Sequence, residues 1–136
     1  MNAKRHPRKS PVMIVAKTTD THYGWDHNTD KVHRKKLVAL ALEMQTRGCR
    51  VLLHTGDWSC VKQKSLFRAW ALFREILGPD VRILSVRGNH DFWFGDEGRY
   101  SEEFKDRTWE VFFARHREHA ALHNIELLSD TGSVVI

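Results

Sequence analysis

Apolar positions along this chain fall into short unbroken runs, separated by stretches in which they recur every three or four residues. Residues 11–17 (Pro-Val-Met-Ile-Val-Ala-Lys), 51–55 (Val-Leu-Leu-His-Thr) and 81–86 (Val-Arg-Ile-Leu-Ser-Val) are such runs. They fit strands buried on both faces, as in parallel sheets. Residues 30–47 carry Val32, Leu37, Val38, Leu40, Ala41 and Met44 on a helical stripe, with Gly48 placed to cap its end. The stripe returns over 65–77 with Leu66, Phe67, Trp70, Phe73 and Leu77, then stops at Gly78-Pro79. A third helix is predicted over 101–119, with Phe104, Thr108, Val111 and Phe112 on one face and Glu102 and Glu103 in its first turn. Residues 125–128 and 133–136 read as one short strand entering another. Strand and helix signals in alternation predict an α/β fold of parallel βαβ units around one sheet.

Composition narrows the class. At 136 residues, 41% hydrophobic and 29% charged, the chain fits one soluble globular domain. Its longest apolar run is far too short to cross a bilayer. The N-terminus is basic, but no apolar stretch of secretory length follows it, so a cytoplasmic location is expected. The net charge of +5 is mostly local, because Lys4, Arg5, Arg8 and Lys9 stand in a segment without acids. That leaves 18 of the 22 basic residues against 17 acids in the remainder. Residues 1–10 are therefore expected to be a solvated, disordered tail and 11–136 a near-neutral domain. Cys49 and Cys60 form no C-x-x-C pair, which fits a reducing compartment, and neither is read as a nucleophile.

Three polar motifs follow the three apolar runs: Asp20-Thr21-His22, Gly56-Asp57 and Gly88-Asn89-His90-Asp91. Each is expected just past the carboxyl end of a parallel strand, the edge where open α/β sheets bind ligands. If the first segment is extended, Asp20 and His22 project to the same side and can reach one metal ion. The Asp57 carboxylate has two oxygens and could bridge two ions; the Asn89 carbonyl is a neutral oxygen donor. His90, beside them, could donate a proton to a departing alkoxide. Asp91 could orient that imidazole or support the ligands from behind. Two divalent ions about 3.5 to 4 Å apart are an established device for phosphoryl chemistry.

With these residues in this order, the chain resembles the calcineurin-like metallophosphoesterase superfamily, whose pattern runs Asp-x-His, Gly-Asp, Gly-Asn-His-Asp/Glu, a further His, then Gly-His-x-His. The likeness covers about residues 12–136. It implies a layered αββα sandwich, of which this chain supplies mainly the first parallel βαβ half. It also implies hydrolysis of phosphate esters at two divalent ions (Mn, Fe, Zn or Ni), with a metal-bound hydroxide as nucleophile. Asp20 and His22 would bind the first ion, Asp57 would bridge both, Asn89 would bind the second, and His90 would be the catalytic proton donor.

The chain departs from that pattern twice. The second motif often continues as Gly-Asp-x-x-Asp, and the last place here is Cys60, so a supporting role of that acid is missing or moved to Asp91. No Gly is followed by His, so Gly-His-x-His is absent, and the domain is expected to be incomplete at its C-terminus, completed by further chain or by a second chain. His116, His119 and His123 have helical spacing but are expected to be solvated, and His54 to be a satisfied core or sheet-face residue. Trp25, Trp58 and Trp93 could wall a pocket or pack under loops; Trp70 and Trp109 are expected in the core. Two other functions stay open: a nuclease of the same superfamily, its basic tail tracking nucleic acid, and a non-catalytic binding scaffold.

Overall fold

The computed structural model describes residues 12–23, 30–59, 63–88, 91 and 109–129. The tail at 1–10, Trp25, Cys60, Asn89, His90, Trp93 and the strand expected over 133–136 lie outside these residues. The order of elements is β1 (Ile14–Thr18), α1 (Asp30–Thr46), β2 (Cys49–His54), α2 (Gln63–Leu77), β3 (Arg82–Ser85), α3 (Trp109–Leu122) and β4 (Ile125–Leu127). They form the expected α/β alternation, with a four-stranded sheet of order β1-β2-β3-β4 in which every neighbouring pair is parallel. Register decides where the motifs emerge. Thr18 pairs with His54, His54 with Ser85, and Ser85 with Leu127, so the strands end level along one edge.

A sheet that steps in one direction through right-handed crossovers collects its helices on one face. Here α1 contacts α2, and α2 contacts α3. Leu37, Ala41 and Met44 of α1 meet Leu66, Ala69, Trp70, Phe73 and Leu77 of α2 over Leu52 and Ile83 of the central strands. Gly48 and Gly78, both at positive φ, end α1 and α2 where the sequence predicts.

Three expectations need correction. Residues 14 and 15 are not buried: Ile14 is 41% and Val15 44% exposed. Among the described residues β1 has only β2 beside it, so an edge strand carries an apolar run that usually marks a central one. His116 is not solvated. It is fully buried, on the same face as Phe112 and Ala120 at helical spacing, against Phe67 and Trp70. Only His119 is exposed, and it stacks on Phe67 at 3.6 Å. Trp109 is half-buried rather than core, stacked on Phe113, with its indole N–H donated to the Leu128 carbonyl at 2.7 Å. No helix among the described residues is long and apolar enough to cross a membrane.

Candidate metal centre

The level strand ends bring the first two motifs together. Past Thr18 and His54 the two chains stay joined: Thr55 donates its N–H to Thr18, Asp20 to Gly56, His22 to Asp57 and Tyr23 to Trp58, at 2.8 to 3.1 Å. Four cross-loop bonds thus place Asp20 and His22 opposite Asp57. The expected extended segment is not what does it, because Asp20 (φ 52°), His22 (φ 45°) and Asp57 (φ 58°) are all left-handed. Residues with a Cβ adopt that conformation at a cost, and sustained cases gather where the surrounding structure has a use for them. Here it turns three side chains toward one another.

One donor atom from each of Asp20, His22 and Asp57 lies within 4.8 Å of the others. His22 Nε2 is 3.4 Å from Asp20 Oδ1 and 3.8 Å from Asp57 Oδ2. Two carboxylates and an imidazole are donors that divalent transition-metal ions accept, so this set fits such an ion. Asp57 is buried and His22 half-buried, while Asp20 stays open to solvent, so the cluster is held from behind and reachable from the front. The Thr19 hydroxyl donates to the Asp20 carboxylate and holds its pKa below the ordinary value. Among the described residues no other such trio of His, Cys, Asp or Glu gathers, the histidines of α3 included.

The third motif approaches through its glycine. A Cβ built on Gly88 would overlap the Asp57 carboxylate and amide, and one on Gly56 would meet Gly88 N at 2.5 Å. The two turns touch backbone to backbone, which only glycines permit. Beneath them sits Asp91, 1% exposed. Its Oδ2 accepts the N–H groups of Asp57 (2.9 Å) and Gly88 (2.8 Å), and its Oδ1 those of Trp58 (3.0 Å) and Ser59 (3.4 Å). Burial pushes this carboxyl up to about 7, against the pull of the backbone N–H donors toward the carboxylate. Asp91 thus gathers the second and third loops. Asn89 and His90, whose place in the site was read from the same motif, lie outside the described residues.

Thr21, between the two candidate ligands, carries no signal in the sequence pattern. Of the two readings open for Trp58, packing is the one that holds. The indole of Trp58 is core, 0% exposed and stacked on His54, with Nε1–H donated to Ser85 Oγ at 2.8 Å, so it walls no pocket. His54 is satisfied, as expected of it: its Nδ1 accepts the Gly56 N–H at 3.2 Å. A polar residue inside an apolar run was the available signal for His54.

The family model described as calcineurin-like phosphoesterase matches residues 13–132. Among solved structures, the chain is similar to the nuclease MPE of Pseudomonas putida, with 14% identity and a TM-score of 0.55 over 88% of this chain. The aligned region is 50% of that protein, so this chain spans half its length, and at that identity the likeness is one of fold. No curated protein matches the chain.

Proposed function

Because the chain belongs to the calcineurin-like phosphoesterase family, we propose that it hydrolyses phosphate esters at a dinuclear metal centre. The observation that carries the reading is the convergence of Asp20, His22 and Asp57 within 4.8 Å at the ends of two adjacent parallel strands. Asp20, His22 and Asp57 would hold a first ion, and Asp57 and Asn89 would serve a second. The chemistry supplied by divalent ions at such a centre is Lewis acidity toward phosphate oxygens and toward water. Asp20, its pKa lowered, keeps its negative charge at neutral pH for that task. His90 delivers a proton to the departing alkoxide, and Asp91 keeps the Asp57 turn in place from below. No Gly-His-x-His motif is present in these 136 residues to add donors to the second ion.

The test begins with metal. Mn²⁺ and Co²⁺ titrated into the chain by calorimetry should bind, and Asp57→Asn should weaken binding at least tenfold; equal affinity would remove the site. Hydrolysis of p-nitrophenyl phosphate and bis(p-nitrophenyl) phosphate is then followed in the presence of Mn²⁺ or Co²⁺. His90→Ala should lower turnover by roughly a hundredfold or more, the usual weight of a proton donor, and unchanged turnover would end that role. The diester also tests the nuclease reading, favoured by the P. putida neighbour. A preference for the monoester would count against it.

A further inference from the structure

The loop that carries two proposed ligands is held by the residue between them. Thr21 turns its hydroxyl inward, where Oγ1 donates to the Trp58 carbonyl at 3.1 Å and lies 3.1 Å from Nε2 of His54. The other ring nitrogen of His54 faces the Gly56 N–H at 3.2 Å. A backbone N–H can only donate, so Nδ1 is the acceptor and carries no proton. The proton is therefore on Nε2, and the run is Gly56 N–H to His54 to Thr21 to the Trp58 carbonyl.

The ring is 0% exposed and lies flat on the Trp58 indole, with centroids 3.6 Å apart and planes at 13°. Burial pushes its pKa down to about 3, so it is neutral at any ordinary pH. A central strand position would ordinarily be filled by an apolar residue, because a buried polar network is costly unless every member is satisfied. Here each member is satisfied, and both ends touch the candidate site.

We infer that His54 is a positioning residue of the metal site: as the Nε2–H tautomer it grips Thr21 and thereby holds Asp20 and His22, one on either side, in their left-handed conformations. The inference rests on reading Asp20 and His22 as ligands. Without the grip, the positive φ angles of 52° and 45° lose one of the constraints that sustain them. The loop then relaxes toward commoner conformations, and the two side chains part.

The experiment compares Thr21→Val, which keeps the shape and removes the hydroxyl, with Thr21→Ser, which keeps the hydroxyl. Mn²⁺ affinity is measured by calorimetry, beside the metal-free melting temperature as a control for folding. Thr21→Val should weaken Mn²⁺ binding 10- to 100-fold, the range for partners that orient metal ligands, and Thr21→Ser should recover it to within about threefold. Equal affinity of Thr21→Val and wild type overturns the inference while leaving the metal reading intact. Equal weakening by Val and Ser also overturns it, since the hydroxyl would then be irrelevant. Failure of the wild type to bind Mn²⁺ overturns the metal reading and the inference with it. Nitrogen chemical shifts of the wild-type His54 ring, recorded without metal, decide the case if Thr21→Val does not fold. A protonated Nε2 and bare Nδ1 support the grip, and the opposite tautomer or a mixture overturns it.

Discussion

Asp91 Oδ2 accepts the backbone N–H of Asp57 at 2.9 Å, so the acid of the third loop fixes the backbone of the proposed bridging ligand in the second. Three more N–H groups, from Gly88, Trp58 and Ser59, end on the same buried carboxylate. An acceptor-only group suits four donors. Asn has nearly the same shape but would aim an NH₂ at N–H groups, leaving buried donors unpaired. Asp91→Asn should therefore cost about 2 to 4 kcal/mol in urea unfolding at about pH 8.5, where the carboxyl, raised to about 7, is ionised. A loss below about 0.5 kcal/mol would show that the four contacts do not matter to stability.

Much of this was readable beforehand, and the parts that were not share a cause. The runs at 51–55 and 81–86 became β2 and β3 because strands of a parallel sheet are buried continuously, and the glycine caps at 48 and 78 needed only local backbone chemistry. What brings Asp20, His22 and Asp57 to one point was legible as a strand-end position but not as a conformation. Their left-handed backbones are imposed by bonds to a loop more than thirty residues away, and residue type does not announce that. The burial of His116 has a related cause. Its spacing from Phe112 and Ala120 pointed inward, but the aromatic surface that receives it belongs to α2.

The contact between Gly88 and Asp57 yields a second prediction, with its own control. Gly88→Ala would drive a methyl into the Asp57 carboxylate and amide, so the turn must shift. Overpacking of this kind costs about 1 to 3 kcal/mol, and Mn²⁺ affinity should fall at least tenfold. Gly48→Ala meets no atom within 4 Å and suffers only its left-handed backbone, φ 70°. It should cost about 1 to 2 kcal/mol and leave Mn²⁺ affinity unchanged. If both variants affect binding alike, the specific contact is not the reason.

A third prediction concerns Arg74, whose guanidinium closes the end of the fold opposite the site. Nε donates to the His123 carbonyl, one terminal nitrogen to those of Gly78 and Val81, and the other to that of Asn124, all at 2.7 to 2.8 Å. The fan ties the end of α2, the entry to β3 and the turn before β4. Lysine keeps the charge but presents its donors from one point and cannot span four carbonyls. Arg74→Lys should lose about 1 to 2 kcal/mol and Arg74→Ala somewhat more, with Mn²⁺ affinity per folded molecule unchanged. Lysine behaving as wild type would mean that charge, not the fan, is what matters.

The last prediction follows from the buried imidazole of α3. His116 Nδ1 donates to the Phe112 carbonyl at 2.8 Å, and burial lowers the ring pKa from 6.5 to about 4, helped by the charges of Arg115 and His119. Below pH 6.5 the unfolded chain takes up a proton at this position and the folded chain does not. The stability contributed by the neutral ring is therefore fully present above 6.5 and falls as pH drops toward 4, by an amount on the order of 3 kcal/mol. Roughly 2 kcal/mol of that should be gone by pH 5. His54, its pKa depressed to about 3, adds a loss of the same sign and Asp91, its pKa raised to about 7, an opposing gain, so the wild-type profile alone cannot isolate either ring. His116→Phe removes one of them while keeping an aromatic ring among Phe67, Trp70 and Phe112. Urea unfolding at pH 7.5 and pH 5 should show the variant losing roughly 2 kcal/mol less than wild type between those values. Matching losses would mean that His116 takes up its proton without leaving the folded state.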